Sequence, residues 1–135
     1  MAARSKARKR AVDVLYESDL RSQDVLELLR ERIGDTSPQV PDHAVRLVEG
    51  VHEHQQRIDE LIDTHASGWS IDRLPDVDRA ILRMAVFELL WVDDVPDAVV
   101  IDEAVELAKM LSTDDSPAYV NGVLGAIIKA EVPTS

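Results

Sequence analysis

Apolar residues recur at helical spacing along almost the whole chain, and this spacing most narrowly limits the possible folds. Valine, leucine and isoleucine repeat at the spacing of one helix face, and no segment shows the sustained alternation of a β-strand. Between Ala80 and Val92 the only charged residues are Arg83 and Glu88. A helix that is apolar nearly all round belongs in the centre of a fold. The sequence therefore predicts an all-α protein with this segment at its core.

Turn and capping signals divide the helical pattern into six to seven helices. The stretches DTSPQVP, SGWSIDRL and DDVPD interrupt the apolar spacing. Ser22 is the candidate N-cap of the second helix, and Pro75 stands near the first turn of the apolar helix. Ser116 or Asp115 is the candidate cap of the last helix. Helices joined by such short loops predict a helical bundle, and we expect residues 1–135 to form one domain.

Positive charge is concentrated at the N-terminus of an otherwise acidic protein. The formal net charge is -11, yet five of the 15 lysines and arginines lie among the first ten residues. These five are Arg4, Lys6, Arg8, Lys9 and Arg10. Charge segregated in this way indicates contact with a nucleic acid or an anionic membrane. We expect residues 1–10 to form a basic arm that runs into the first helix.

Helical geometry places Tyr16 and three of these cations on the side away from the apolar stripe. The three are Lys6, Lys9 and Arg10. Arg4 and Arg8 point nearer the apolar side, so we expect them to belong to a flexible arm or to extend their charged ends outward. A basic stripe that ends in an aromatic ring suits single-stranded nucleic acid. A solubilising tail is the alternative, and a membrane-surface helix is disfavoured because the stripe lacks Phe and Trp.

The sequence contains no motif that indicates an enzyme active site or a metal site. The chain has no cysteine, and its five glycines form no phosphate-binding loop. His52 and His54 are two positions apart and cannot form the i, i+4 ligand pair of a helical zinc site. We expect no enzyme, no cofactor and no metal. No apolar run approaches the ~20 residues that span a bilayer, so we expect a cytoplasmic protein without membrane contact.

Three stretches resemble the NusB family of transcription antitermination factors. They are RKRAVDVLYESDL, RLPDVDRAILRMAVFELL and VPDAVVIDEAVELAKMLSTDDSPAYVNGVLG, in the family's order and spacing. The resemblance implies two three-helix bundles that share one RNA surface. It also implies binding to the boxA element of nascent ribosomal-RNA transcripts, as a heterodimer with the ribosomal protein NusE in an antitermination complex with RNA polymerase.

The resemblance extends to individual residues of the RNA surface. Four cations, Lys6, Arg8, Lys9 and Arg10, match the family's arginine-rich start, and Tyr16 matches its aromatic. In the DDSPAYVNG stretch, Asp115 and Ser116 match the family's DS pair, and Tyr119 matches the usual Phe or Tyr. These matches imply that Asp115 accepts hydrogen bonds from base amino groups and that Tyr119 stacks on a base. Helix capping is an equally good explanation of Asp115 and Ser116.

The same resemblance assigns a contact with the protein partner. Asp78, Arg79 and Arg83 match the family's VERAxLR stretch, and Asp78 would be the acidic contact to the basic ribosomal protein. Asp78 stands where Glu is usual, which shortens its reach, and stabilisation of a helix N-terminus is the alternative role. Two further questions stay open. The chain is either a monomer or a homodimer that buries the arginine-rich helix, and a helical protein-interaction adaptor without an RNA role is the alternative function.

Overall fold

A computed structural model describes residues 2–35, 39–66, 68 and 70–131 of the chain. Within these residues it has six α-helices, a short 3-10 helix at Ile71–Arg73 and no β-strand. The α-helices are α1 (Ala3–Arg21), α2 (Val25–Gly34), α3 (Asp42–His65), α4 (Asp76–Trp91), α5 (Asp97–Leu111) and α6 (Ser116–Glu131). The predicted all-α fold of six to seven helices is confirmed.

The helices form two groups of three, and α4 of the second group packs against the first group. Helices α1, α2 and α3 pack against one another, as do α4, α5 and α6, and α4 also contacts α1 and α3. The predicted position of the apolar segment is confirmed, because seven apolar side chains of α4 lie in the core, Phe87 among them. The other six are Ala80, Ile81, Leu82, Met84, Ala85 and Val86.

Two local predictions at the ends of α1 are corrected by the structure. Helix α1 already begins at Ala3, so the basic segment is helical rather than a flexible arm. Ser22 does not cap α2 but follows α1 in the left-handed conformation, with φ of 50°. The N-cap of α2 is Asp24, whose carboxylate accepts hydrogen bonds from the backbone N–H groups of Leu26 and Glu27. Asp24 stands next to the first helical residue, whereas Ser22 lies two residues before the N-cap position.

No helix in the described part of the chain is long and apolar enough to cross a bilayer.

Candidate nucleic-acid interface

The N-terminal half of α1 carries the basic side chains that the sequence singled out. Lys6 is exposed, and Lys9 and Arg10 are half-buried. Lys9 Nζ lies 3.4 Å from Asp13 Oδ2, and Arg4 Nη2 lies 3.1 Å from Asp94 Oδ2 in an exposed pair. In the described residues no carboxylate lies within ion-pair distance of Lys6 or Arg10. Lys6 is therefore available to an anionic ligand, whereas Arg10 is an unpaired cation whose Nε is buried without a hydrogen-bond partner in the part of the chain that the structure describes.

Arg8 lies inside the protein instead of extending outward, which corrects the prediction for its side chain. Its Nε and Nη2 donate hydrogen bonds to Glu88 Oε1 and Oε2 at 2.8 and 2.7 Å. The side chains of Arg8 and Glu88 are 3% and 0% exposed. Burial lowers the pKa of Arg8, but the hydrogen bonds and charge of Glu88 outweigh it and leave the pKa raised. Arg8 is thus a cation held by α4 and not a free phosphate ligand.

His43, at the start of α3, completes this buried cluster. Its Nε2 lies 3.2 Å from Glu88 Oε2. Burial lowers the pKa of His43, and the hydrogen bond with Glu88 opposes this without cancelling it. The cations of Arg4 and Arg8 lower the pKa further. The ring is therefore mainly neutral at neutral pH and links α3 to the ion pair between α1 and α4.

A second polar cluster lies where α4 and α6 begin. Asp78 Oδ1 accepts a hydrogen bond from Ser112 Oγ at 2.6 Å, and Asp78 Oδ2 accepts one from Ser116 Oγ at 2.9 Å. Thr113 Oγ1 lies 2.8 Å from Ser116 Oγ. Asp78 and Ser116 are 5% and 2% exposed, so both predicted contact residues point inward. Their hydrogen bonds hold the loop before α6 against the start of α4.

Asp115 and Tyr119 border a cavity on the outer side of this cluster. The cavity has a volume of about 360 Å³ and is lined by Leu74, Pro75, Asp78, Thr113, Asp115, Ser116 and Tyr119. Asp115 is exposed and Tyr119 is partly buried. The Tyr119 hydroxyl is buried without a hydrogen-bond partner in the described residues. Burial and then the charge of Asp78 raise the pKa of Tyr119, so its ring stays neutral.

Arg79 and Arg83, predicted to contact a protein partner, are held by internal carboxylates. Arg83 Nε lies 2.8 Å from Asp59 Oδ1, and Arg83 Nη1 lies 3.0 Å from Asp19 Oδ2. Arg79 Nε lies 3.0 Å from the same Asp19 oxygen, and Arg79 also pairs with Asp76. Burial lowers the pKa of Arg83, but Asp59 and Asp19 leave it raised. Both arginines tie α4 to α1, and Arg83 also ties it to α3.

The predicted RNA residues do not form one compact cluster but extend along α1, from its basic end toward the start of α4 and the loop before α6, and we call this arrangement the line. Arg8 contacts Glu88 while Asp19 contacts Arg79, so α1 runs antiparallel to α4. The basic end of α1 therefore lies toward the C-terminal end of α4, and the loop before α6 lies at its N-terminal end. Tyr16 is half-buried between these ends and packs against the core. Lys6 and Tyr16 are ten residues apart, or about 15 Å along a helix.

Sequence reasoning missed the carboxylates that organise this surface. Glu88, Asp19 and Asp59 were not predicted to have a role, although each holds an arginine that was. One signal was present for Glu88, because it is the only acid between Ala80 and Val92. A lone acid in an apolar helix requires a buried partner. In the described residues no group of three His, Cys, Asp or Glu could hold a metal ion.

Comparison with known proteins identifies what this arrangement resembles. The model of the NusB family matches residues 5–129. The transcription antitermination protein NusB of Saccharopolyspora erythraea is 63% identical over 129 residues, which cover 94% of this chain and 87% of that protein. The name of this relative is that of a transcription antitermination protein and not of an enzyme, in agreement with the expectation for this chain.

Solved structures agree with the sequence comparison. The structure of T. maritima NusB matches with a TM-score of 0.86 and 36% identity, over 98% of this chain and 94% of that one. A structure of the antitermination factors NusB and NusE in complex with double-stranded RNA matches with a TM-score of 0.82 and 36% identity. That match covers 94% of this chain and 96% of the other. From its fold, its sequence motifs and these relatives, the chain belongs to the NusB family of transcription antitermination proteins.

Proposed function

We propose that this protein binds boxA-type single-stranded RNA in nascent ribosomal-RNA transcripts and thereby acts in transcription antitermination. One observation carries the proposal: Lys6 and Arg10 lack acidic partners in the described residues and lie on α1. This helix leads, through Tyr16, toward Asp115 and Tyr119. Phosphates bind cations, and bases stack on aromatic rings, so an extended strand suits this line. The related complex of NusB, NusE and double-stranded RNA supports an RNA ligand.

Each end of the line has its own role in this proposal. At the basic end, Lys6, Lys9 and Arg10 neutralise phosphates, and Arg4 joins them when its exposed pair with Asp94 opens. At the other end Asp115 accepts hydrogen bonds from base amino groups, and Tyr119 stacks on a base at the cavity. Tyr16 stacks between the two ends. Arg8 and Ser116, which the resemblance also placed at this surface, act from beneath it because both are buried.

The proposal includes the ribosomal protein NusE as a partner, within an antitermination complex that contains RNA polymerase in the cytoplasm. A related structure holds NusB and NusE together with RNA. The net charge of -11 favours a basic partner of this kind. Asp78, Arg79 and Arg83 would support the partner surface through their internal bonds, with only a small part of each side chain left exposed.

Removal of the two unpaired cations tests the proposal. We expect Lys6→Gln/Arg10→Gln to weaken binding to a short boxA-like single-stranded RNA and to flatten the slope of log affinity against log salt by about 1.4, at about 0.7 per phosphate. Fluorescence anisotropy at four salt concentrations, with and without NusE, gives both quantities. The matched control is Arg30→Gln/Lys129→Gln, which removes equal charge from exposed cations on α2 and α6.

The adaptor is the second candidate function, and self-association is the form of it that the charge pattern favours. A basic helix on an acidic body is complementary to a second copy of itself. Equal RNA binding by the two double variants would refute the assignment of the phosphate contacts. If that result came with a light-scattering mass of a dimer that only Lys6→Gln/Arg10→Gln dissociates, the adaptor would be the better description.

A further inference from the structure

We propose that Arg8 is a positioning residue for RNA binding: its buried pair with Glu88 fixes the orientation of the first turns of α1, so that Lys6 and Arg10 lie on the side of the helix opposite to Arg8. This inference rests on the proposed RNA-binding function and adds to it a role for Arg8 and Glu88. Arg8 itself makes no phosphate contact in this proposal. Glu88, for which no role followed from the sequence, becomes necessary for tight RNA binding although it carries the same sign of charge as RNA.

The geometry of the pair defines an orientation as well as a contact. Two nitrogens of Arg8 meet the two oxygens of Glu88 at 2.8 and 2.7 Å. A planar two-pronged pair restricts direction in a way that a single lysine contact does not. Arg8 Nη1 also lies 3.6 Å from Glu103 Oε1, which in turn accepts a hydrogen bond from Ser5 Oγ at 2.6 Å. The start of α1 is thereby fixed to both α4 and α5.

Apolar packing of the first turns of α1, before the run of buried side chains that begins at Ala11, is too slight to set their orientation. Ala7 and Arg8 are the buried side chains among the described residues up to position 10. A methyl group removes little apolar area from water, so Ala7 contributes little to the orientation. The Arg4 pair with Asp94 is exposed on both sides and constrains α1 weakly. Arg8 is therefore the main anchor of the first turns.

Helix geometry connects the direction of Arg8 to the directions of the two unpaired cations. At about 100° per residue, Lys6 and Arg10 each lie about 160° from Arg8 around the helix axis and about 40° from each other. When Glu88 draws Arg8 inward, both cations are turned toward the opposite side. Loss of the pair would let this part of α1 rotate or fray, and the two charges would no longer be held together.

Neutralisation of Glu88 distinguishes the positioning role from simple electrostatics, because the two predict opposite changes in RNA affinity. Glu88→Gln removes a negative charge near the RNA, so electrostatics alone would strengthen binding. Under the proposal it weakens binding instead, by about twofold to thirtyfold, since a positioning change typically alters coupling by 0.5–2 kcal/mol. The number of phosphate contacts is unchanged in the bound state, so the salt slope stays that of the wild type.

The experiment compares the wild type with Glu88→Gln, Arg8→Lys and the control Asp94→Asn. Asp94→Asn also removes a carboxylate beside the start of α1, but from an exposed pair. RNA affinity and salt slope are measured by anisotropy with the boxA-like RNA. We expect weaker binding with an unchanged slope for Glu88→Gln and Arg8→Lys, and equal or tighter binding for Asp94→Asn. Arg8→Lys keeps the buried charges paired and so provides a folded variant if Glu88→Gln unfolds.

Hydrogen exchange provides a readout of the pair that does not depend on RNA. We expect the amides of residues 6–10 to exchange faster in Glu88→Gln and Arg8→Lys than in the wild type, while α4 keeps its protection. Tighter binding by Glu88→Gln, or a flatter salt slope in Arg8→Lys, would overturn the positioning role of Arg8. The proposed RNA-binding function would be unaffected by either result. A wild type that binds no RNA would overturn the proposed function, and the role of Arg8 in RNA binding with it.

Discussion

Asp78 at the start of α4 and Ser116 at the start of α6 are joined by a hydrogen bond of 2.9 Å from Ser116 Oγ to Asp78 Oδ2. Family resemblance implied a protein-partner role for the first residue and an RNA role for the second. The structure places both in one buried cluster with Ser112 and Thr113. A change at Asp78 therefore alters the loop that carries Asp115, which couples the two predicted surfaces.

Asp78→Asn is predicted to lower the free energy of unfolding by about 1–3 kcal/mol, because a buried carboxylate that accepts two hydroxyl bonds is replaced by a weaker acceptor with its own N–H groups to satisfy. Urea unfolding followed by circular dichroism measures this. Asp115→Asn is the control, since this exposed side chain should change stability by less than about 0.5 kcal/mol. Equal stabilities of the two variants would contradict the role of the buried cluster.

Asp78→Lys is a poor test of a partner interface for the same reason. It places a long cation where Ser112 and Ser116 both donate hydrogen bonds. Buried charge without a partner is strongly unfavourable, so the variant is expected to disturb the fold itself. Loss of NusE binding in that variant would not locate the interface.

Gly50→Ala is predicted to destabilise the protein by about 1–3 kcal/mol through overpacking between α3 and α4. A Cβ atom at this position would lie 2.0 Å from Phe87 Cζ, and Phe87 is itself buried. Gly122→Ala is the matched control, because nothing lies within 4 Å of its added Cβ in α6. Helix propensity should make that variant more stable by up to about 1 kcal/mol. Thermal melting of both proteins would show shifts of opposite sign, and a shift in the same direction would contradict the packing argument.

Sequence predicted the helices and the central position of α4 because these follow from local spacing and from the near absence of charge in one segment. It did not distinguish Arg8 from Arg4, since helical geometry turns both of them nearer the apolar side and gives neither a partner. The difference depends on Glu88, 80 positions away, whose direction is set only when α1 packs on α4. The burial of Asp78 does not follow from the sequence for a related reason, since its partners Ser112, in the loop before α6, and Ser116, at the start of α6, are 34 and 38 positions away.

Acid is predicted to destabilise the fold through His43. The pKa of His43 is lowered in the folded protein from its usual value of 6.5, mainly by burial. As pH falls below about 6.5 the unfolded chain binds the proton first, so the free energy of unfolding decreases until the lowered folded pKa is reached. We expect His43→Gln to have a smaller decrease than the wild type between pH 7.5 and 5.5, by urea unfolding at several pH values. Parallel pH profiles would show that His43 does not contribute.

Tyr119→Phe is predicted to leave RNA binding unchanged and to keep or raise stability by up to about 1 kcal/mol, because the hydroxyl that it removes is buried without a partner. Stacking uses the ring, which the variant retains. Tyr119→Leu keeps apolar bulk at the cavity but removes the ring, and should weaken RNA binding by about 1–3 kcal/mol.

Anisotropy titrations and urea unfolding of the two Tyr119 variants separate the contribution of the ring from that of the hydroxyl. Weaker RNA binding by Tyr119→Phe would mean that the hydroxyl turns outward to contact RNA, which would replace stacking with a polar contact at this position. Unchanged binding by Tyr119→Leu would instead remove Tyr119 from the RNA surface. The cavity beside Asp115 would then be a feature of the folded loop alone, and the RNA contacts would be confined to the α1 side of the line.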